Sequence, residues 1–214
     1  MSNKEIPSTS QENNPTYYHQ QHPFSSPTMA ETAFLVMDVQ AGIVSRMAAP
    51  PNYLQNLQKT ITAARAHPST KVIYITVAFR PGHPEVSASN PIFGPIVSAN
   101  LFVSGSSETQ IEAAIAPVEG DILVEKKRVS AFTGSGLDVV LRGLGVEKLV
   151  LAGISTSGVV LATVVEAFDR DFGITVLKDL CVDEEPVHEV LMEQVFKKRG
   201  QVLNADEWLE KLKV

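Results

Sequence analysis

Leu149-Val150-Leu151-Ala152-Gly153-Ile154-Ser155-Thr156-Ser157-Gly158-Val159-Val160-Leu161-Ala162-Thr163 is the stretch that decides how this chain is read. The uninterrupted apolar run 149–152 is the pattern of a strand covered on both faces, and Gly153 closes it where the backbone has to turn. Val160, Thr163, Val164, Ala167 and Phe168 then recur at helical spacing, with Ser155, Thr156 or Ser157 available to cap the first turn. A strand, a tight polar turn and a helix N-terminus bring unpaired N–H groups and the positive end of the helix dipole together, which suits an anion. An ordinary strand-to-helix connection has the same pattern, so this segment alone leaves both readings open.

Working outward, residues 33–37 form a buried-type strand that runs straight into Asp38, and Leu54, Leu57, Ile61 and Ala64 repeat at helical spacing before the next apolar run, 72–77. Strand, helix, strand implies a right-handed crossover and parallel neighbours. Residues 121–125 read as a third strand with Lys126 at its exit, and the stripe Leu137, Val140, Leu141, Leu144 as a helix ended by Gly145. After the central stretch, 173–177 reads as a fifth strand running on towards Asp179. Val187, Val190, Leu191 and Val195 mark a helix whose first turn would hold Glu184 and Glu185, 201–203 a short sixth strand, and 205–213 a closing helix. The alternation predicts an α/β fold: a three-layer sandwich around a doubly wound, about six-stranded parallel sheet. Ligands in that architecture bind at the carboxyl ends of the strands, so Asp38, Lys126 and the 153–158 turn are expected to face one crevice. Residues 79–107 dissolve into Pro, Gly, Ser and Asn with scattered aromatics, a loop long enough to cover such a crevice as a lid.

Composition narrows the function classes. The chain has 214 residues, 44% of them hydrophobic, which suits one domain, 31–214, behind a polar Ser/Thr/Asn/Gln/Pro-rich leader, 1–30, expected to be disordered. Tyr17, Tyr18 and Phe24 give that leader a few groups that could dock on a neighbouring surface. A net charge of −6, with Lys126-Lys127-Arg128 as the densest basic cluster, argues against nucleic acid as a partner. No apolar block marks a secretory signal or a membrane partner, and the single cysteine, Cys181, excludes an intrachain disulfide, so a cytoplasmic, small-molecule-handling protein is expected. Cys181 itself, just past an apolar strand, reads as a small buried hydrophobe.

Several chemistries that begin with an aspartate after a buried strand are excluded. A phosphoaspartyl transferase needs a second carboxylate where Gln40 stands, and a receiver domain needs paired acids and a second aspartate that are missing. A dinucleotide fingerprint would follow the first strand, whereas Gly134-Ser135-Gly136 lies far downstream. What remains, beside a plain turn-forming role for Asp38, is a carboxylate tuned by the Lys126 ammonium. His83 alone does not make a metal site, and no metal or other cofactor is expected.

Asp38-Val39-Gln40 after an apolar strand, Lys126 ahead of Arg128-Val129-Ser130-Ala131-Phe132, and Gly153-Ile154-Ser155-Thr156 together resemble the isochorismatase-like hydrolase superfamily. Asp179 with Cys181 and Asp183, then His188 and Val195-Phe196, resemble its usual ending, so the resemblance covers roughly residues 32–208. It implies a doubly wound sheet, dimers or tetramers, a non-proline cis bond near Ser155-Thr156, and catalytic roles for Asp38 and Lys126. Most members add a nucleophilic cysteine six residues after the glycine matching Gly153; here that position is Val159 and its predecessor is Gly158. Thiolate attack on an amide is therefore not expected. The branch that manages without cysteine cleaves a vinyl ether by protonation at carbon, with Asp38 as acid in a pocket including Phe34, Phe79 and Phe132, and isochorismate as an example of a small anionic substrate. On this reading Gln40, Arg80, Phe132, Ser155, Thr156, Ser157, Gly158 and Val159 line the substrate, with the helix N-terminus holding one carboxylate and Arg80 a second. Two further readings stand beside it: a catalytically silent binding module, and a cysteine-independent amidohydrolase using Ser157 or activated water.

Overall fold

The computed structural model describes residues 31–213, and the leader read over 1–30 lies outside the described residues. Thr32–Met37 (β1) is the centre of the sheet, because its apolar residues point alternately into two separate cores. Leu35 and Met37 pack with Leu149 and Leu151 beneath the helices Leu137–Leu144 (α4) and Leu161–Phe168 (α5). Phe34 and Val36 pack on the opposite face with Val150 and Ala152, against Tyr53, Leu57 and Ile61 of one helix and Trp208 of another. The run 149–152 is uninterrupted for the same reason: both of its faces are covered.

Around β1 lie Thr70–Val77 (β2), Ile122–Lys126 (β3), Lys148–Ile154 (β4), Gly173–Val182 (β5) and Gln201–Leu203 (β6), all parallel and in the order β3-β2-β1-β4-β5-β6. The expected α/β sandwich is the observed one. The remaining helices are Ala41–Val44 (α1), Tyr53–Ala66 (α2), Gly94–Ser98 (α3), Val187–Val190 (α6) and Ala205–Lys211 (α7). None of the described helices is long and apolar enough to cross a membrane. From β1 the chain fills one side of the sheet out to β3, then returns to place β4 on the other side of β1. The carboxyl ends of β1 and β4 therefore flank the topological switch point, where a doubly wound sheet opens a crevice.

Two features fix the geometry there. Met37 pairs with Gly153, and a Cβ on that glycine would lie 2.3 Å from the Met37 carbonyl oxygen, so only glycine allows the strands to close to this spacing. Asp38, the first residue beyond β1, has a left-handed φ of 57° while its N–H donates to Ile75 O at 2.8 Å. Gln40 then ties this exit to β2: Val77 N–H donates to its Oε1 at 2.8 Å, and its Nε2 donates to Val77 O at 3.0 Å and Thr109 O at 2.9 Å. All of its polar atoms are engaged and it is fully buried, so Gln40 is a structural strut instead of the substrate contact expected for it.

The 79–107 segment folds onto the carboxyl end of the sheet. Phe79 N–H donates to Phe102 O and Ser104 N–H to Phe79 O, both at 2.8 Å, and Val77, Phe79, Phe93 and Phe102 form a core of their own. Two local expectations shift: β5 continues to Val182 through a register irregularity opposite Leu151 and Gly153, and Glu184 and Glu185 precede α6, with Pro186 at its N-cap. The non-proline cis bond expected near Ser155-Thr156 is Ile154–Ser155. Gly153→Ala is expected to cost stability at the upper end of the ~1–3 kcal/mol typical of overpacking, read as a lower urea midpoint with an unchanged m-value.

Candidate active site

Lys126 is the last residue of β3 and pairs in register with Val77. Its side chain spans the end of β2, and Nζ lies 2.9 Å from Asp38 Oδ2 and donates to Arg128 O at 3.0 Å. The two side chains are 2% and 8% exposed, so two charges distant along the chain meet almost out of reach of water. Burial pushes the Asp38 carboxyl above its ordinary value of 3.8, more than the Lys126 charge and hydrogen bond pull it down. Oδ1 of the same carboxyl is buried and has no hydrogen-bond partner among the described residues. It is an acceptor waiting for a donor.

Asp38 and Lys126 line a cavity of about 230 Å³ together with Ser155, Gly158 and Val159. The rest of its wall is hydrocarbon: Ile43 and Met47 from the segment after β1, and Phe93, Ile96 and Phe102 from the folded-over 79–107 segment. The lid expectation thus places the right segment, while the three phenylalanines expected around Asp38 lie elsewhere. Phe34 packs on Trp208 with ring centroids 5.3 Å apart, Phe79 on Phe93 at 5.6 Å, and Phe132 on Phe172 at 6.0 Å beneath the Arg170 guanidinium.

The turn after β4 is a wide helical turn, Thr156–Val160, that leads into α5, with Gly158 at the non-helical φ −97°, ψ −107°. Ser155 O accepts from both Gly158 N and Val160 N at 3.2 Å, and a Cβ on Gly158 would lie 2.8 Å from Ser155 Oγ. Glycine lets the turn close over the serine. The anion that sits at this helix start is the protein's own: Ser157 N–H donates to Asp183 Oδ2 at 2.6 Å and Glu184 N–H to Oδ1 at 2.9 Å. Burial alone would raise that carboxyl, but the donors of Ser157 and Glu184 hold it below its ordinary value. The expectation of a substrate carboxylate at Ser157–Val160 is corrected accordingly.

Of the residues expected to act, Asp38, Lys126, Ser155, Gly158 and Val159 share the cavity; Gln40, Arg80, Phe132, Thr156 and Ser157 are not part of its lining. Arg80 has a side chain 70% exposed and pairs with Glu85 at 2.8 Å. Thr156 Oγ1 is buried on the far side of the turn, 2.9 Å from His188 Nδ1. His83 Nε2 donates to Leu101 O at 2.7 Å, and no group of three or more His, Cys, Asp and Glu side chains is arranged for a metal among the described residues. Cys181 packs in the core between sheet and helices with its thiol pushed up to about 12 by burial, so it is no substitute nucleophile. Which side chains of 79–107 form the apolar ceiling, and that Asp183 occupies the helix start, are what sequence reasoning missed. Their signals were the aromatics scattered through 79–107 and a carboxylate following the fifth strand.

A sequence profile of the Isochorismatase domain matches residues 32–207. A ureidoacrylate amidohydrolase of Rhizobium rhizogenes is 31% identical over 172 residues, 70% of this chain and 70% of its own length. An isochorismatase family protein of Bacillus subtilis, YwoC, is 30% identical over 186 residues, 86% of this chain and 95% of its own. The crystal structure of a cysteine hydrolase from Pseudomonas syringae pv. phaseolicola superimposes with a TM-score of 0.79 at 20% identity, over 86% of this chain and 92% of that one, and so shares the fold. With the profile running from the first residue of β1 into α7, this chain belongs to the isochorismatase family of hydrolases.

Proposed function

We propose that the protein hydrolyses a small molecule by proton transfer through Asp38, with no covalent enzyme intermediate. The observation that carries this reading is the state of the Asp38 carboxyl: Oδ2 is held by Lys126, Oδ1 is buried and unpartnered, and the wall beside it at position 159 is valine. An acid whose proton affinity is raised by burial is suited to deliver a proton, and a cavity with no thiol is suited to chemistry that needs none. Cleavage of an enol (vinyl) ether fits both conditions. Asp38 gives its proton to the enol carbon, the C=C electrons form that C–H bond, and the ether carbon becomes an oxocarbenium ion. Water adds to that carbon and returns a proton to Asp38; the hemiketal then collapses to ketone and alcohol. Lys126 keeps the carboxyl in one orientation throughout.

A second reading is favoured by the ureidoacrylate amidohydrolase relative. In it the ionised Asp38 takes a proton from water, which attacks an amide carbonyl directly. The two differ in the form of Asp38 that works, and pH separates them. An acid role gives a rate that falls as pH rises through a carboxyl value above 3.8; a base role gives a rate that rises through it.

Asp38→Asn is expected to abolish turnover of an enol ether or amide substrate while leaving the thermal unfolding cooperative; retained activity overturns both readings. Val159→Ala is expected to keep kcat within about tenfold, because that residue supplies only hydrocarbon. Lys126→Met leaves an ionised carboxylate alone in the cavity wall, and removing one partner of a buried pair costs ~3–5 kcal/mol. Its sign with pH follows from Asp38: the raised carboxyl binds its proton more readily folded than unfolded, so the loss is full at neutral pH and shrinks as pH falls. Urea denaturation of this variant at pH 7 and at mildly acidic pH measures the difference.

A further inference from the structure

We infer that the group this cavity accepts is uncharged and largely apolar, and that carboxylates are excluded. The inference rests on the reading of the Asp38 cavity as the hydrolytic site and names the substrate class for it.

The first ground is that, among the described residues, the cations Lys126, Arg80, Lys127, Arg128 and Arg46 at the carboxyl end of the sheet are all engaged. Lys126 Nζ is held between Asp38 Oδ2 at 2.9 Å and Arg128 O at 3.0 Å. Arg80 pairs with Glu85, and Lys127 donates to Ala78 O at 2.6 Å and pairs with Glu125. Arg128 donates to the carbonyls of Lys127 and Glu85, both at 2.6 Å. Arg46, whose guanidinium carbon lies 5.6 Å from the centre of the Phe102 ring, faces Glu108 at 3.8 Å. The second ground is the helix start, where Asp183 takes Ser157 N–H, and Ser155 O takes Gly158 N–H and Val160 N–H. Three amides of this turn, those of Ser157, Gly158 and Val160, are thus used internally.

The third ground is the wall itself. An ionised carboxylate placed among Ile43, Met47, Phe93, Ile96 and Phe102 would lose its hydration and gain no cation in exchange, a cost that excludes it more firmly than any steric contact. An uncharged apolar group meets no such penalty and displaces water from hydrocarbon. At the floor, Asp38 Oδ1 has no partner and Ser155 borders the same space, so a polar group at the reacting end of the substrate, accepting from the acid or donating to the carboxylate, completes the site. A dianionic enol ether such as isochorismate is thereby a poor fit, and a neutral amide, ether or ester carrying a hydrocarbon group is a good one.

The test compares phenylacetamide with phenylacetate, two probes that share a ring and differ in charge, in equilibrium binding to the full-length protein at neutral pH by titration calorimetry or ligand-observed NMR. The amide is expected to bind at least about tenfold more tightly. Asp38→Asn removes the charge that masks Lys126 and is expected to improve phenylacetate binding by about tenfold. Phenylacetate binding the unmodified protein as tightly as the amide, neither probe binding at millimolar concentration, or no gain for phenylacetate in Asp38→Asn each overturns the inference. These are binding measurements, so their outcome is separate from the loss of turnover in Asp38→Asn that decides the hydrolytic reading.

Discussion

A buried ion pair between Asp38 and Lys126 holds the end of three strands in one arrangement. Each charge gives up several kcal/mol of hydration on burial, and the attraction at 2.9 Å offsets this only while the geometry is kept. That requirement reaches well beyond the two residues. Lys126 must end β3 in register with Val77, β2 must stop at Val77, and Asp38 must leave β1 with a left-handed φ. Gln40 imposes the stop by occupying both the N–H and the C=O of Val77. On the other flank, the approach of β4 to β1 depends on the missing side chain of Gly153. The sheet is thus tied down by specific contacts at the edge that carries the Asp38 cavity.

Most of the architecture was legible because it follows from periodicity. The strands at 33–37, 72–77 and 149–152 are apolar without interruption, since helices cover both faces, and α4 ends at Gly145 in the left-handed conformation that its position predicts. The Asp38–Lys126 meeting was also legible, because both residues stand at strand ends that topology brings to one edge. Side-chain destinations were not. Phe132 lies in a segment that fits the family resemblance, yet its ring turns into the core against Phe172, and nothing in a sequence separates a pocket phenylalanine from a packed one. Arg80 was expected to hold a substrate carboxylate; here it pairs with Glu85, five residues on. Helical spacing predicts that a helix starts near Ser155 but says nothing of which carboxylate arrives there from another strand.

That last point links the two departures of this chain from the cysteine pattern it resembles. A thiol becomes a nucleophile only when its thiolate is stabilised, by a cation or by unpaired amides at a helix start. Here Lys126 serves Asp38, and the amides of Ser157, Gly158 and Val160 serve Asp183 and Ser155. Cys181 shows what the same molecule does to a thiol lacking such support: burial pushes it up to about 12, far from the reactive range. A sulfur at position 159 would share the cavity with Asp38 and Lys126, whose charges are already turned to each other. Valine there is consistent with its surroundings.

The same economy of charge sets what the cavity can catalyse. With the described cations paired and the amides of Ser157, Gly158 and Val160 engaged, the proposed site is better matched to a transition state that develops positive charge, or to one whose charge is quenched by proton transfer as it forms. An oxocarbenium ion beside an ionised Asp38 is such a case: the proton leaves the carboxyl as positive charge appears on the substrate, and the two remain adjacent in a cavity poor in water. In the proposed mechanism the raised proton affinity that burial gives Asp38 would act twice, favouring the acid form before the reaction and leaving an anion beside the developing cation during it. In the same mechanism a hydrocarbon wall, unpromising for carbonyl chemistry, would strengthen that attraction by lowering the local dielectric, and the apolar lining would serve turnover as well as selectivity.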